Sequence, residues 1–282
     1  MYALEQAARM GADGAEIDVQ LTRDGSLVLF HDFRLKKELC RDRSGKWLKG
    51  QCPLIRDLTY TELSAFDVGR AKRGTAYAHR HGPKFPRDGE RIPLLRDAIA
   101  VVRAIRPDFK LFVEIKTSPE NRLLSAPPEE VAEAVVAELK RARFLKTAVL
   151  IGFDWPALVH AMKCEPSIAC WFTTKPRRIK RGSPPWAGAF DPRKFGGSIP
   201  AAIAAAGGKG WLCSKLQATK RAIAEACAHG LSFGGWTVNA KYQMRALARL
   251  GADAIITDRP DSLVGLQRKD RFHIPSNSAV EV

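Results

Sequence analysis

Short apolar or β-branched runs alternate with helical stretches along most of this chain, and that alternation limits the possible folds more than any other feature. Residues 15–19, 111–115, 149–151, 168–172, 210–213, 232–238 and 254–257 read as strands. Between them, residues 3–10, 94–105, 129–144, 219–229 and 242–250 read as helices. Gly11, Gly230 and Gly251 stand where a left-handed cap ends a helix. Thr22-Arg23-Asp24-Gly25 is a turn that sends residues 27–30 back as the second arm of a hairpin. The triplet Gly-Ala-Asp occurs at 11–13 and again at 251–253, each time between a helix and a strand. Strands separated by helices require a parallel sheet with helical crossovers. No GxGxxG follows the first strand, which counts against a dinucleotide-binding fold. Seven strand units are one fewer than a barrel of eight needs, and the chain opens inside a helix with no N-cap residue. The expected fold is therefore α/β, a TIM (β/α)8 barrel whose first strand is missing from this chain. It is expected to occupy residues 1–265, with an insertion at about 32–93 after the first hairpin and a tail at 266–282.

Composition excludes several classes. Hydrophobic residues make up 45% of the chain and charged ones 27%, a globular rather than disordered balance. No uncharged apolar run approaches the ~18 residues a spanning helix needs, so no integral membrane segment is expected. Residues 1–5 lack the basic and apolar regions of a signal peptide. The six cysteines show no CxxC pair, which predicts reduced thiols and a cytoplasmic setting. The net charge of +16 is unevenly spread. Residues 32–110 hold 19 basic against 10 acidic side chains, residues 173–194 hold 7 against 1, and the rest is nearly neutral. Neither excursion carries a nucleic-acid signature, so no nucleic-acid partner is expected. Solvated loops are the plainer reading, and steering of anionic substrates is the sharper one. Lys175, Arg177, Arg178, Lys180 and Arg181 form the densest basic cluster, expected on an irregular rim.

Glu16 and Asp18 are two apart on a strand and project to one face, near the end where barrel enzymes place their chemistry. Two carboxylates converging there need a cation or a proton between them, and a hard divalent ion suits oxygen ligands. Glu114 and Lys116 repeat the spacing on the strand at 111–115. They read either as a further ligand beside a cation for an anionic substrate or as an internal ion pair. His31 ends the hairpin arm, placed to give a proton to a leaving alkoxide.

The segment from Gly11 to Gly25, with Glu16 and Asp18 inside it and His31-Asp32 after it, resembles the signature of glycerophosphodiester phosphodiesterases. Val113-Glu114-Ile115-Lys116, Trp236-Thr237-Val238-Asn239, Arg91-Ile92-Pro93-Leu94-Leu95 and residues 251–261 resemble further segments of that family, in the same order. The resemblance covers about residues 3–263 and implies a phosphodiesterase-type barrel. Such a barrel hydrolyses glycerophosphodiesters, small-molecule substrates, to glycerol 3-phosphate and an alcohol with a divalent cation, Mg2+ or Ca2+. It implies Glu16, Asp18 and Glu114 as metal ligands and His31 as one of two catalytic histidines. It also implies Lys116 as a catalytic group neutralising the phosphate, and Trp236 as lining the substrate pocket, although core packing suits Trp236 equally. Self-association is expected to be weak at most.

Two departures stand out. The family's opening His-Arg-Gly strand and Glu-Asn-Thr segment are absent, so the chain is expected to begin late. His79-Arg80-His81-Gly82 looks like the lost motif but lacks a strand before it, and is expected to be a chance likeness. Gly152-Phe153 replaces an expected Ser-Phe. An impaired relic that binds metal and diester without turnover is the alternative.

Overall fold

A computed structural model of the chain describes residues 1–81, 86–176 and 185–270. Eight strands form one sheet: β1 (Gly14–Leu21), β2 (Leu27–Leu29), β3 (Lys110–Ile115), β4 (Ala148–Gly152), β5 (Ala169–Thr174), β6 (Gly210–Ser214), β7 (Ser232–Trp236) and β8 (Ala254–Ile255). Their order is β2-β1-β3-β4-β5-β6-β7-β8, parallel throughout except for the β1/β2 hairpin. The sheet curls as a TIM-type barrel does but is not closed, because among the described residues no strand joins β8 to β1. Seven parallel strands plus a hairpin arm is the count the sequence predicts.

The helices are α1 (Tyr2–Met10), α2 (Tyr60–Leu63), α3 (Ala76–His81), α4 (Leu95–Ile105), α5 (Pro128–Arg141), α6 (Trp155–Cys164), α7 (Ile199–Ala205), α8 (Lys220–Ala228), α9 (Lys241–Arg249) and α10 (Pro260–Asp270). α1 packs against α10, so helices meet across the seam that the sheet leaves open. Gly11 caps α1 at φ 93° and Gly251 follows α9 at φ 81°, both in the left-handed region that a residue with Cβ resists. The repeated Gly-Ala-Asp triplet is thus a repeated helix-to-strand turn.

Strand alternation sorts the side chains into three packed regions. Ile17, Val19, Val113, Ile115, Leu150, Cys170, Phe172, Trp211, Cys213 and Phe233 point outward and pack under the helices in the largest core. Val149, Ile151, Trp171 and Leu212 point inward and, with Phe112, Trp236, Ala254 and Ile256 against them, fill the barrel interior. A third cluster, with Val28, Phe30, Leu35, Cys40, Cys52, Ile55, Leu63, Ile92 and Leu94, lies in the excursion between β2 and α4.

Several elements differ from expectation for local reasons. α6 and α7 were not foreseen: α6 is apolar on most faces and α7 (Ile-Pro-Ala-Ala-Ile-Ala-Ala) has too few polar residues to show a period. α10 was likewise unforeseen. α5 stops at Arg141 rather than near 144, because Arg143 turns to φ 52° and leaves the helix. β1 runs on to Leu21 because β2 pairs with its second half. Of the basic cluster only Lys175 is described; Arg177, Arg178, Lys180 and Arg181 lie outside the described residues, and so does Gly82 of the chance motif.

Interior packing centres on Trp171, which is 2% exposed and meets Phe112 edge to face at 5.4 Å. Its indole occupies the space where Gly210 lacks a side chain: a Cβ there would come within 2.4–2.6 Å of three ring atoms. Gly210→Ala should therefore destabilise the fold by about 1–3 kcal/mol, the usual effect of overpacking. That corresponds to roughly 2–4 °C in melting temperature per kcal/mol. Adding Trp171→Leu should restore part of the loss, and melting followed by circular dichroism for the single and double variants checks the coupling.

Candidate active site

Pairing of β1 with β3 builds the polar end of the barrel. In their parallel register Asp18 lies opposite Glu114, and Glu16 opposite Phe112. Lys116 continues the register, its N–H donating to the Val19 carbonyl at 3.0 Å. Glu16, Asp18, Glu114 and Lys116 therefore face the same interior, while the residues between them anchor the strands under the helices. The Lys116 ammonium donates to Asp18 Oδ1 at 2.8 Å and to Glu114 Oε1 at 2.9 Å. Lys116 thus makes the internal ion pair that was one of its two readings in the sequence.

Carboxylate oxygens of Glu16, Asp18 and Glu114 come within 4.8 Å of one another. Burial pushes the Glu16 carboxyl well above the ordinary carboxylate range, and the charges of Asp18 and Glu114 push the same way. Glu114 is raised as well, by burial first, with Lys116 opposing the shift. Burial alone would lower the Lys116 ammonium, but Glu114 and Asp18 outweigh it and hold the group above the usual lysine range. Glu16 Oε1 is buried without a hydrogen-bond partner. A buried, unpartnered oxygen among three carboxylates fits a hard divalent cation, which takes oxygen ligands and removes the repulsion.

These residues open into a cavity of about 430 Å3, lined also by His31, Asp32, Lys36, Tyr77, Ile151, Phe153, Thr173, Leu212, Trp236 and Asp258. His31 stands at the mouth with its side chain 70% exposed, Nδ1 3.4 Å from Asp32 Oδ1. Its loop is pinned from β1: the buried Gln20 amide donates to the carbonyls of Phe30 at 2.6 Å and Asp32 at 2.8 Å. The Phe30 N–H donates to the Asp18 carbonyl at 3.1 Å. The contact with Asp32 raises the imidazole's affinity for a proton against the opposing effect of burial. Asp32 resists its own partial burial through hydrogen bonds from His31 and Lys36, and stays below the ordinary carboxylate value. On the opposite wall, Asn239 donates to Asp258 Oδ2 at 2.8 Å and accepts from Thr257 at 3.0 Å, which ties two of the sequence motifs together. Trp236 lines the cavity and also packs edge to face on Phe153 at 5.3 Å.

All six residues singled out from the sequence, Glu16, Asp18, His31, Glu114, Lys116 and Trp236, line this one cavity. His79 does not: it is exposed on α3, in a helix rather than at a strand end. Gly152 is the last residue of β4, and a Cβ there would sit 3.4 Å from the Ile115 carbonyl, so the departure from Ser leaves room at ordinary contact distance. Sequence reasoning missed Gln20, Lys36, Tyr77 and Thr173. Gln20 continues the polar face of Glu16 and Asp18 along β1, and that signal could have marked it. Lys36 and Tyr77 lie in the excursion, where only the excess charge hinted at a role.

This fold and cavity define a class. The model of the glycerophosphoryl diester phosphodiesterase family matches residues 1–262, and the chain belongs to that family. It is thereby an enzyme of the phosphoric diester hydrolase class. It is 27% identical over 274 residues to a glycerophosphodiester phosphodiesterase of Caldanaerobacter subterraneus subsp. tengcongensis, covering 95% of this chain and 90% of that one. A crystal structure from Silicibacter pomeroyi assigned to the family is 28% identical, with a TM-score of 0.79 over 91% of this chain and 83% of that one. An Oleispira antarctica phosphodiesterase, 22% identical, shares the fold with a TM-score of 0.66 over 99% of this chain and 89% of that one. Its structure holds the product sn-glycerol-3-phosphate.

Glu16 supplies a test in the protein free of metal. Its folded pKa is raised above the ordinary 4.5. The native state therefore gains from a protonated Glu16 below that value and loses the gain as pH rises through the folded pKa. Glu16→Gln should stabilise the metal-free protein at pH 8 by roughly 1–3 kcal/mol, the cost of leaving such a buried group unpaired. The difference should vanish towards pH 4. Melting curves in chelator across that range check the sign.

Proposed function

We propose that this chain hydrolyses glycerophosphodiesters to glycerol 3-phosphate and an alcohol, with Glu16, Asp18 and Glu114 holding one divalent cation, Mg2+ or Ca2+. The observation that carries the reading is the buried, unpartnered Glu16 oxygen within a three-carboxylate cluster, beside a histidine at the cavity mouth. The bound product of the Oleispira antarctica neighbour supports the same substrate class. When bound, a divalent cation supplies positive charge to the phosphoryl oxygens.

The chain's own residues do the rest. Lys116, fixed between Asp18 and Glu114, presents its ammonium to the anionic diester and offsets charge that grows on the phosphate in the transition state. His31, whose affinity for a proton Asp32 raises, gives a proton to the departing alkoxide oxygen. Trp236 forms part of the cavity wall and bounds the glycerol side of the substrate. The inward apolar residues Ile151 and Leu212 keep water from the base of the cavity and so strengthen the charge interactions above them.

A second reading is a barrel that binds ion and diester without turnover. One observation favours it: among the described residues His31 is the single histidine lining the cavity, where the family resemblance implies two. Release of glycerol 3-phosphate from glycerophosphoethanolamine with added Mg2+ or Ca2+ separates the readings, because the second predicts ion binding and no release.

Two predictions follow from these roles. Glu16→Gln with Asp18→Asn should abolish the calorimetric signal for Mg2+ and Ca2+ while leaving the circular dichroism spectrum unchanged. Undiminished affinity would remove the metal assignment. His31→Ala should slow release of poor alkyl leaving groups by about 10²–10⁴-fold and slow an activated nitrophenyl diester far less. Equal losses on both would make His31 a positioning residue.

A further inference from the structure

Three aromatic rings line the cavity, on Tyr77, Phe153 and Trp236. A cluster of rings at a site mouth is the usual device for a quaternary ammonium group, which binds over open ring faces. Here the chain's own ammonium groups take the faces. Lys36 Nζ lies 4.7 Å above the centre of the Tyr77 ring, and Lys175 Nζ lies 5.2 Å above that of Phe153. Trp236 meets Phe153 edge to face, with the ring planes at 87°. A choline head group would have to displace a lysine from a ring and then sit beside the positive charge it displaced.

The carboxylates near the mouth do not reverse this balance. Asp32 is matched in place by Lys36 at 2.9 Å and by His31 at 3.4 Å. Asp258 is held by Asn239 on the far wall and adds its charge at Glu16. Lys36 and Lys175 also belong to the two stretches that carry nearly all the excess positive charge of the sequence, residues 32–110 and 173–194.

We propose that the mouth of this cavity selects glycerophosphodiesters whose alcohol part is anionic, and that Lys36 and Lys175, seated on Tyr77 and Phe153, exclude quaternary ammonium head groups. The proposal rests on the hydrolytic reading above for its substrate and adds the charge of the leaving alcohol. Lys36 and Lys175 act on the head group, away from the scissile bond, and so set specificity rather than chemistry.

A series matched in size isolates the charge: glycerol 3-phosphate esters of choline, of its uncharged carbon analogue 3,3-dimethylbutanol, and of 3-hydroxypropanoate. At low ionic strength kcat/KM should rise from the choline ester through the neutral ester to the carboxylate. The span should be about tenfold or more, since a cation–π contact at an exposed site is worth a few-fold in affinity and two are in play. Lys36→Met with Lys175→Met should bring the three esters close together, and added salt should narrow the span in the parent protein. A choline ester turned over faster than its uncharged analogue by the parent protein would overturn the proposal. So would a span that the double variant leaves unchanged. If none of the esters is hydrolysed in the presence of Mg2+ or Ca2+, the hydrolytic reading fails. The intact esters are then ranked by calorimetry, and the same order of affinity upholds the charge selection while the reverse order overturns it.

Discussion

Three carboxylates that must share one interior pocket set the terms for the rest of this structure. Their proximity is a matter of register: once β1 and β3 pair in parallel with Asp18 opposite Glu114, Glu16 and Lys116 have no other face to occupy. Shifting either strand by one residue would turn the acids towards the helices and bring Ile17, Val19, Val113 and Ile115 inside. The outward apolar set therefore enforces the inward polar one. Lys116 makes the cluster tolerable by offering a hydrogen bond to each of two acids, and Glu16 is left with the unmatched oxygen. Repulsion that weakens the bare fold also makes the cluster receptive to a cation.

Much of this was legible in the sequence because it obeys a period of two. Glu16, Asp18, Glu114 and Lys116 alternate with apolar residues in their strands, and each strand is short and bounded by turn residues. The hairpin arm, the count of parallel strands and the glycine caps followed from equally local signals. What escaped was set by tertiary contact. Gln20 is a polar residue whose value lies entirely in two carbonyls ten and twelve positions away. Lys36 and Tyr77 reach the cavity only because the excursion folds back over the mouth, which no periodicity records. Thr173 lies on a strand read as ending at 172, so a boundary error of two residues hid an inward side chain. α6 and α7 were lost for the opposite reason, since their apolar residues surround the axis and leave no contrast to detect.

The two ends of the cavity are built from different stretches of the chain. The strands carry the acids and the lysine, whereas the excursion supplies His31, Asp32, Lys36 and Tyr77 to the outer wall. The acidic cluster at the base and the outer wall of the cavity thus come from separate parts of the fold. Gln20 joins them, with its backbone in β1 and its amide on the His31 loop.

The hairpin arm β2 is only three residues long, yet its side chains serve two different interiors: Leu27 belongs to the core beneath the helices, and Val28 to the cluster within the excursion. That places a narrow joint between the barrel scaffold and a peripheral module with its own packing. In evolutionary terms the two can drift apart. Substitutions within the module can remodel the entrance for a new leaving alcohol without repacking the barrel, and substitutions in the barrel can adjust stability without redrawing the entrance. A lineage built this way can explore substrates by varying one module while its carboxylate cluster stays fixed.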